Sequence, residues 1–290
     1  MSLPLPPLEG VTHRYVRVGG LDVHVAEAGE GEPLVLLHGW PQHWWVWRHV
    51  VPLLARDYRL VMPDLRGHGW TGAPATGYDK EQLALDLLGL LEAMDLPEVG
   101  LVGHDWGGWV GFLACLRAPK RFRGFVPLSV PHPFQQPDRR LLQTWRGTYQ
   151  VVLGTPLLGE SLLRSSPHAV GTVLRLGTSM KGAITPADAA LYARVLQEPA
   201  RARASSRLYR TFVLAEALPV LLGQYRGQRL RVPTRLVGGA DDPVVTPALL
   251  GGYELAADDM QVEVLPGCGH FVPEERPDAV ARTVRALLPA

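Results

Sequence analysis

Cysteine is nearly absent from this sequence. Cys115 and Cys268 are the only two, too few for a disulfide framework, so reduced, buried thiols are expected. A secretion signal is missing as well: "MSLPLPPLEG" has no basic start and no apolar h-region. No apolar run reaches the length that spans a bilayer. Charge of one sign is also lacking. The 29 Lys and Arg against 28 Asp and Glu leave a formal +1, which gives no electrostatic case for nucleic acid or an anionic membrane. The one basic run, "RARASSRLYR" at 201–210, reads as the solvated face of a helix. No internal repeat or low-complexity tract is present. These absences predict a soluble, cytoplasmic protein with no nucleic-acid or membrane partner. Nothing in them sets the oligomeric state, and a homodimer is left open.

What is present is a rhythm. The 290 residues, 47% of them hydrophobic, can bury a core larger than that of one minimal domain. "HRYVRV" at 13–18 and "LDVHVAEA" at 21–28 alternate in polarity, as half-exposed antiparallel strands do. Later runs are apolar on both faces, as buried parallel strands are: "PLVLLHG" at 33–39, "YRLVMPD" at 58–64, "GLVGHD" at 100–105, "GFVPLSV" at 124–130, "TRLVGGA" at 234–240 and "QVEVLPG" at 261–267. Helical spacings separate them, notably at 78–95, 107–119 and the C-terminal "PDAVARTVRALL". Strands alternating with helices predict an α/β fold with a mostly parallel sheet of eight strands. The rhythm breaks over 131–231, which is rich in Leu, Ala and Arg with Pro and Gly punctuation. That stretch reads as a helical cap inserted between sheet strands, with residues 1–130 and 232–290 forming the core.

The most informative stretch is "VGHDWGG" at 102–108. It lies between a buried strand and a helix and has the spacing of a nucleophile elbow, in which small residues permit a tight, strained turn. Asp105 stands at the apex where such elbows usually hold serine. A capping role would not require small residues on both sides. The choice of nucleophile limits the reaction. A carboxylate attacking an ester or amide would give an anhydride, which is unfavourable. At an sp³ carbon bearing a leaving oxygen or halide it gives a stable alkyl ester. Water must then attack the carbonyl carbon of Asp105, which calls for a base and an oxyanion hole.

Candidates for both are present. His270, in the glycine-rich "GCGHF" after the last strand, is the candidate base; each of the other nine histidines is better read as structural. In "LVGGADDPVV", Asp242 is the candidate to orient the imidazole, with Asp241 the fallback. The order nucleophile, acid, histidine is that of α/β-hydrolases. After "HG" at 38–39 the backbone N–H of Trp40 would join that of Trp106 as the oxyanion donors. Trp40–Pro41 is a candidate cis peptide. Trp44, Trp45 and Trp47 read as packing, and Asp64, Arg66 and His68 as residues that hold their loop.

With "HGWP", "GHDWGG" and "GCGH" in place, the chain resembles the α/β-hydrolase superfamily over nearly its whole length, and within it the epoxide hydrolases. The resemblance implies two cap tyrosines that hydrogen-bond the epoxide oxygen as the ring opens. "TYQVVLGTPLLGE" at 148–160 maps the first to Tyr149, and "SSRLYRTF" at 205–212 maps the second to Tyr209; Tyr192 and Tyr225 are nearby competitors. A phenol with pKa near 10 stays a neutral acid at pH 7 and can donate to a leaving alkoxide. On this reading Trp40, Trp106, Tyr149 and Tyr209 contact a small apolar epoxide, the co-substrate is water, and no cofactor or metal is required. Haloalkane dehalogenase is the nearest alternative, since Trp106 suits a halide equally well. Those enzymes carry Asn or Glu after His-Gly or a halide-binding Asn elsewhere, where this chain has Trp40, and a halide leaves without a proton. A non-catalytic ligand-binding homologue would be expected to lose part of the triad.

Overall fold

The computed structural model describes residues 3–134 and 148–290. Its strands are β1 (Val11–Val18), β2 (Leu21–Ala28), β3 (Glu32–Leu37), β4 (Tyr58–Pro63), β5 (Val99–His104), β6 (Phe122–Leu128), β7 (Thr234–Gly239) and β8 (Met260–Leu265). They form one sheet in the order β1-β2-β4-β3-β5-β6-β7-β8. β2 pairs antiparallel with both β1 and β4, and every other neighbouring pair is parallel. The sheet is thus the mostly parallel, eight-stranded one expected from the alternation of strand and helix patterns. Burial follows the same logic. β1 is largely solvent-facing at the edge, whereas all six residues of β5 are buried, as a strand covered on both faces requires.

The helices of the core are α1 (Val51–Leu54), α2 (Lys80–Ala93) and α3 (Trp106–Arg117). Between β6 and β7 come α4 (Thr148–Gly154), α5 (Leu158–Ser165), α6 (Pro167–Gly177), α7 (Pro186–Gln197), α8 (Pro199–Thr211), a π-helical turn Phe212–Glu216, and α9 (Ala217–Leu221). The chain closes with α10 (Val272–Glu275) and α11 (Pro277–Leu287). Successive residues of β3 point to opposite faces. Val35 and Leu37 pack with α2 and α3, while Leu34 and Leu36 pack with α1 and α11. Two apolar cores result, one on each side of the sheet.

The prolines of the 131–231 stretch have a local meaning. Pro167, Pro186 and Pro199 each start a helix, where the missing N–H costs nothing. Thr185 and Asp188 close a capping box on α7. Residues 135–147 of that stretch lie outside the described residues. Among the described residues no helix is long and apolar enough to cross a membrane.

Candidate active site

β5 ends at His104, and the chain turns sharply into α3 through Asp105. Its φ of 50° lies in the left-handed region, uncommon for a residue with a side chain and a recurrent form of stored strain. Asp105 occupies the N-cap position, yet its carboxylate makes no capping bond and turns instead toward Trp40 and His270. The turn needs its glycines. A Cβ on Gly103 would lie 2.5 Å from the carbonyl oxygen of Gly107, and one on Gly39 would lie 2.5 Å from the Asp105 side chain.

The two oxygens of Asp105 have different surroundings. Oδ2 accepts a hydrogen bond from the backbone N–H of Trp40 at 2.9 Å, and the Trp106 N–H also bonds the carboxylate. Oδ1 faces Nε2 of His270 at 3.9 Å. His270 Nδ1 lies 2.8 Å from Oδ2 of Asp242. The other oxygen of Asp242 accepts from the N–H groups of Val244 and Val245 at 2.7 and 2.9 Å, which fixes this carboxylate behind the imidazole. Asp241, the fallback, is exposed. The structure therefore brings Asp105, Asp242, His270, Trp40 and Trp106 into one cluster. The Trp40–Pro41 peptide is cis.

The electrostatics of the cluster are mutual. Burial raises the pKa of Asp105, opposed by His270 and by the two backbone N–H groups. Burial by itself would lower His270. The charge and hydrogen bond of Asp242, followed by the charge of Asp105, outweigh it and raise the imidazole to about 9. At neutral pH the imidazole is therefore held as its cation, facing the Asp105 carboxyl group.

The predicted tyrosines stand over this pair. Tyr209, on α8, is buried, and Tyr149, on α4, is partly so. Their ring centroids are 5.7 Å apart. The Trp40 ring lies 5.4 Å from Tyr209, edge-on, and 6.2 Å from Tyr149, stacked, and Trp106 meets Tyr209 edge-on at 5.8 Å. Burial and then the Asp105 charge raise Tyr149 to about 12. Tyr209 is also raised, by burial, then Tyr149 and Asp105. Both hydroxyls hold their protons at neutral pH. The competitors are engaged elsewhere: Tyr192 donates to Glu274 and Tyr225 to Glu81.

Two supporting residues were not singled out from the sequence. Glu275, on α10, accepts from four backbone N–H groups: Gly269 and Phe271 beside the imidazole, and Ser179 and Met180 beyond α6. The His270 N–H donates to Gly177 at 2.7 Å, and His104 Nε2 donates to the His270 carbonyl at 2.9 Å. Lys80, at the start of α2, is 1% exposed. It donates to the Leu208 carbonyl and to Glu216, and its ammonium sits 4.8 Å from the centroid of the Trp106 ring, a cation–π contact. Both are charged residues in helical first turns, and spacing alone does not show what such residues face.

The basic run differs from the solvated face expected of it. Only Arg203 is exposed among its four arginines. Arg201 donates to the Thr71 carbonyl and Arg210 to that of Gly154, so these cations tie α8 to its surroundings. The loop around residue 64 behaves as read: Asp64 accepts from the N–H groups of Trp44 and Trp70, and Arg66 pairs with Asp86.

Comparison with known proteins gives four likenesses. The family model of the alpha/beta hydrolase fold matches residues 32–277. A soluble epoxide hydrolase from Corynebacterium sp. (strain C12) is 30% identical over 94% of this chain and 96% of its own. Among solved structures, that of the epoxide hydrolase CorEH without ligand superposes with a TM-score of 0.84 at 28% identity, covering 96% of this chain and 98% of that one. Cfl2 from Burkholderia cenocepacia superposes with a TM-score of 0.85 at 30% identity, covering 97% of each chain.

Proposed function

Because this chain belongs to the α/β-hydrolase superfamily and, within it, to the epoxide hydrolases, we propose that it opens an epoxide to a vicinal diol through an alkyl ester on Asp105. The observation that carries this reading is the asymmetric carboxylate. Oδ2 of Asp105 is held by the backbone N–H of Trp40, while Oδ1 faces the imidazole.

In the first step Oδ1 attacks an epoxide carbon, and the C–O bond of the ring breaks. Tyr149 and Tyr209 donate to the departing oxygen, which takes a proton from one of them. The Asp105 charge is consumed in the ester. His270 then loses one of the two carboxylates that raise its pKa; its proton passes to the tyrosinate left by ring opening, and the neutral imidazole can act as a base. It deprotonates a water that attacks the ester carbonyl, with Asp242 orienting the ring. The N–H groups of Trp40 and Trp106, which already bond the Asp105 carboxylate, hold the oxyanion. Collapse frees the diol and restores the Asp105 carboxylate. The helices between β6 and β7 serve as the cap that supplies the tyrosines.

Halide displacement is the second reading. The indole Nε1 of Trp40 favours it, being buried without a hydrogen-bond partner on a ring that packs against Tyr149 and Tyr209. Parallel assay of diol formation and halide release separates the two. For the covalent step, His270→Gln mixed with a turned-over epoxide should accumulate an adduct on Asp105, seen by intact mass and peptide mapping. No adduct with any good substrate refutes the two-step scheme.

A further inference from the structure

A cavity of about 150 Å³ opens beside the reacting groups. Trp40 and Tyr149 flank one side. They are the residue whose N–H holds the nucleophile and the first of the two predicted proton donors. The rest of the wall comes from α4, α5 and α6, and it is aliphatic throughout: Leu153, Leu162, Leu163, Val170, Val173 and their neighbours. Leu163 and Val170 are each 1% exposed and form the closed end, whereas Val152 is exposed at the rim. A larger groove, about 720 Å³, runs along α6 and α7 but is lined by none of Asp105, His270, Tyr149 or Tyr209.

Resting on the epoxide reading above, we infer that the 150 Å³ cavity receives the substituent of the epoxide, and that the substrates are epoxides bearing one uncharged, apolar group no larger than about a single aromatic ring. Size sets the upper limit. A dry cavity of this volume with aliphatic walls holds a benzene molecule, and a fused ring pair exceeds it. Chemistry sets the polarity. Beyond Trp40 and Tyr149 on one side, the wall offers no cation to a carboxylate and no polar side chain to a hydroxyl, so a polar substituent lying against the aliphatic residues would be buried unpaired, at a cost of a few kcal/mol. Geometry sets the orientation. A ring in the cavity lies against the Trp40 and Tyr149 rings, which leaves its oxirane toward Asp105 and the tyrosine hydroxyls.

The test compares kcat/KM for diol formation from methyloxirane, phenyloxirane and 2-naphthyloxirane, with the wild-type enzyme and two variants. The wild type should favour phenyl over both others by roughly tenfold or more, the discrimination that small changes in apolar fit command. Val170→Phe, which fills the closed end, should lower the phenyl-to-methyl ratio by about tenfold. Leu163→Ala, which deepens it, should raise the naphthyl-to-phenyl ratio by about fivefold or more. Diol formation with the three substituents handled alike, or with both ratios unmoved in the variants, overturns the pocket assignment and leaves the epoxide reading standing. No diol from any of the three overturns both.

Discussion

His270 Nε2 lies 3.9 Å from Oδ1 of Asp105, closer to an ion pair than to a hydrogen bond. The imidazole is held near pKa 9 by Asp242 and, after it, by Asp105. Removing the Asp105 charge withdraws support from the cation, so the pKa must fall. Asp105→Asn keeps the shape and lacks the charge, as the ester does. NMR titration of His270 should give a lower pKa in this variant than in the wild type. An equal or higher value would show that the two groups are not coupled and that His270 is no better a base in the ester.

Water should leave its oxygen in the protein. One turnover in heavy-oxygen water is expected to label the Asp105 carboxylate, as read by mass spectrometry of the peptide that contains it. Diol formed with that residue unlabelled would mean that water attacks the substrate directly.

Tyr149→Phe and Tyr209→Phe should each slow ring opening by about 10²-fold or more, the usual scale for a general acid. Breakdown of an ester already formed should be nearly unaffected. Single-turnover kinetics resolve the two phases, and a loss confined to the second phase would reassign the tyrosines.

Glu275→Gln tests a positioning residue. A carboxylate accepts all four N–H bonds, whereas the amide has one oxygen and turns an NH₂ toward donors. Hydrogen bonds to a charged group contribute about 1.5–3 kcal/mol each, so denaturant unfolding should show a loss of at least that size. The readout beyond stability is the ester-hydrolysis rate, which should fall more than the alkylation rate. Equal slowing of the two phases would mark Glu275 as a general fold contact.

Lys80→Met removes a buried cation whose partner Glu216 keeps some exposure. A stability loss of about 1–3 kcal/mol is expected, less than for a fully enclosed pair. Tryptophan fluorescence should change along with it, since Trp106 loses its cationic neighbour.

Much of this was legible in the sequence, for identifiable reasons. Strands such as "GLVGHD" announce burial on both faces by composition alone, and β5 lies within a residue of where that run places it. Asp105 was legible because the elbow needs small residues at fixed offsets, a backbone demand that writes itself into spacing. Tyr149 and Tyr209 were reached only through resemblance, since a lone tyrosine in a helical stretch carries no local mark. Glu275 and Lys80 escaped because their partners are backbone atoms and rings distant in the chain. The arginines of α8 misled for the same reason: their targets, the carbonyls of Thr71 and Gly154, leave no trace near residue 201 or 210.

The bonds from His270 to Gly177, and from Glu275 to Ser179 and Met180, rivet the general base to the segment just after α6. Swinging that corner outward would shear these bonds and drag the imidazole off its water. Passage past Val152, which is exposed on α4 where it lines the cavity, would leave the proton-abstracting apparatus assembled while molecules come and go.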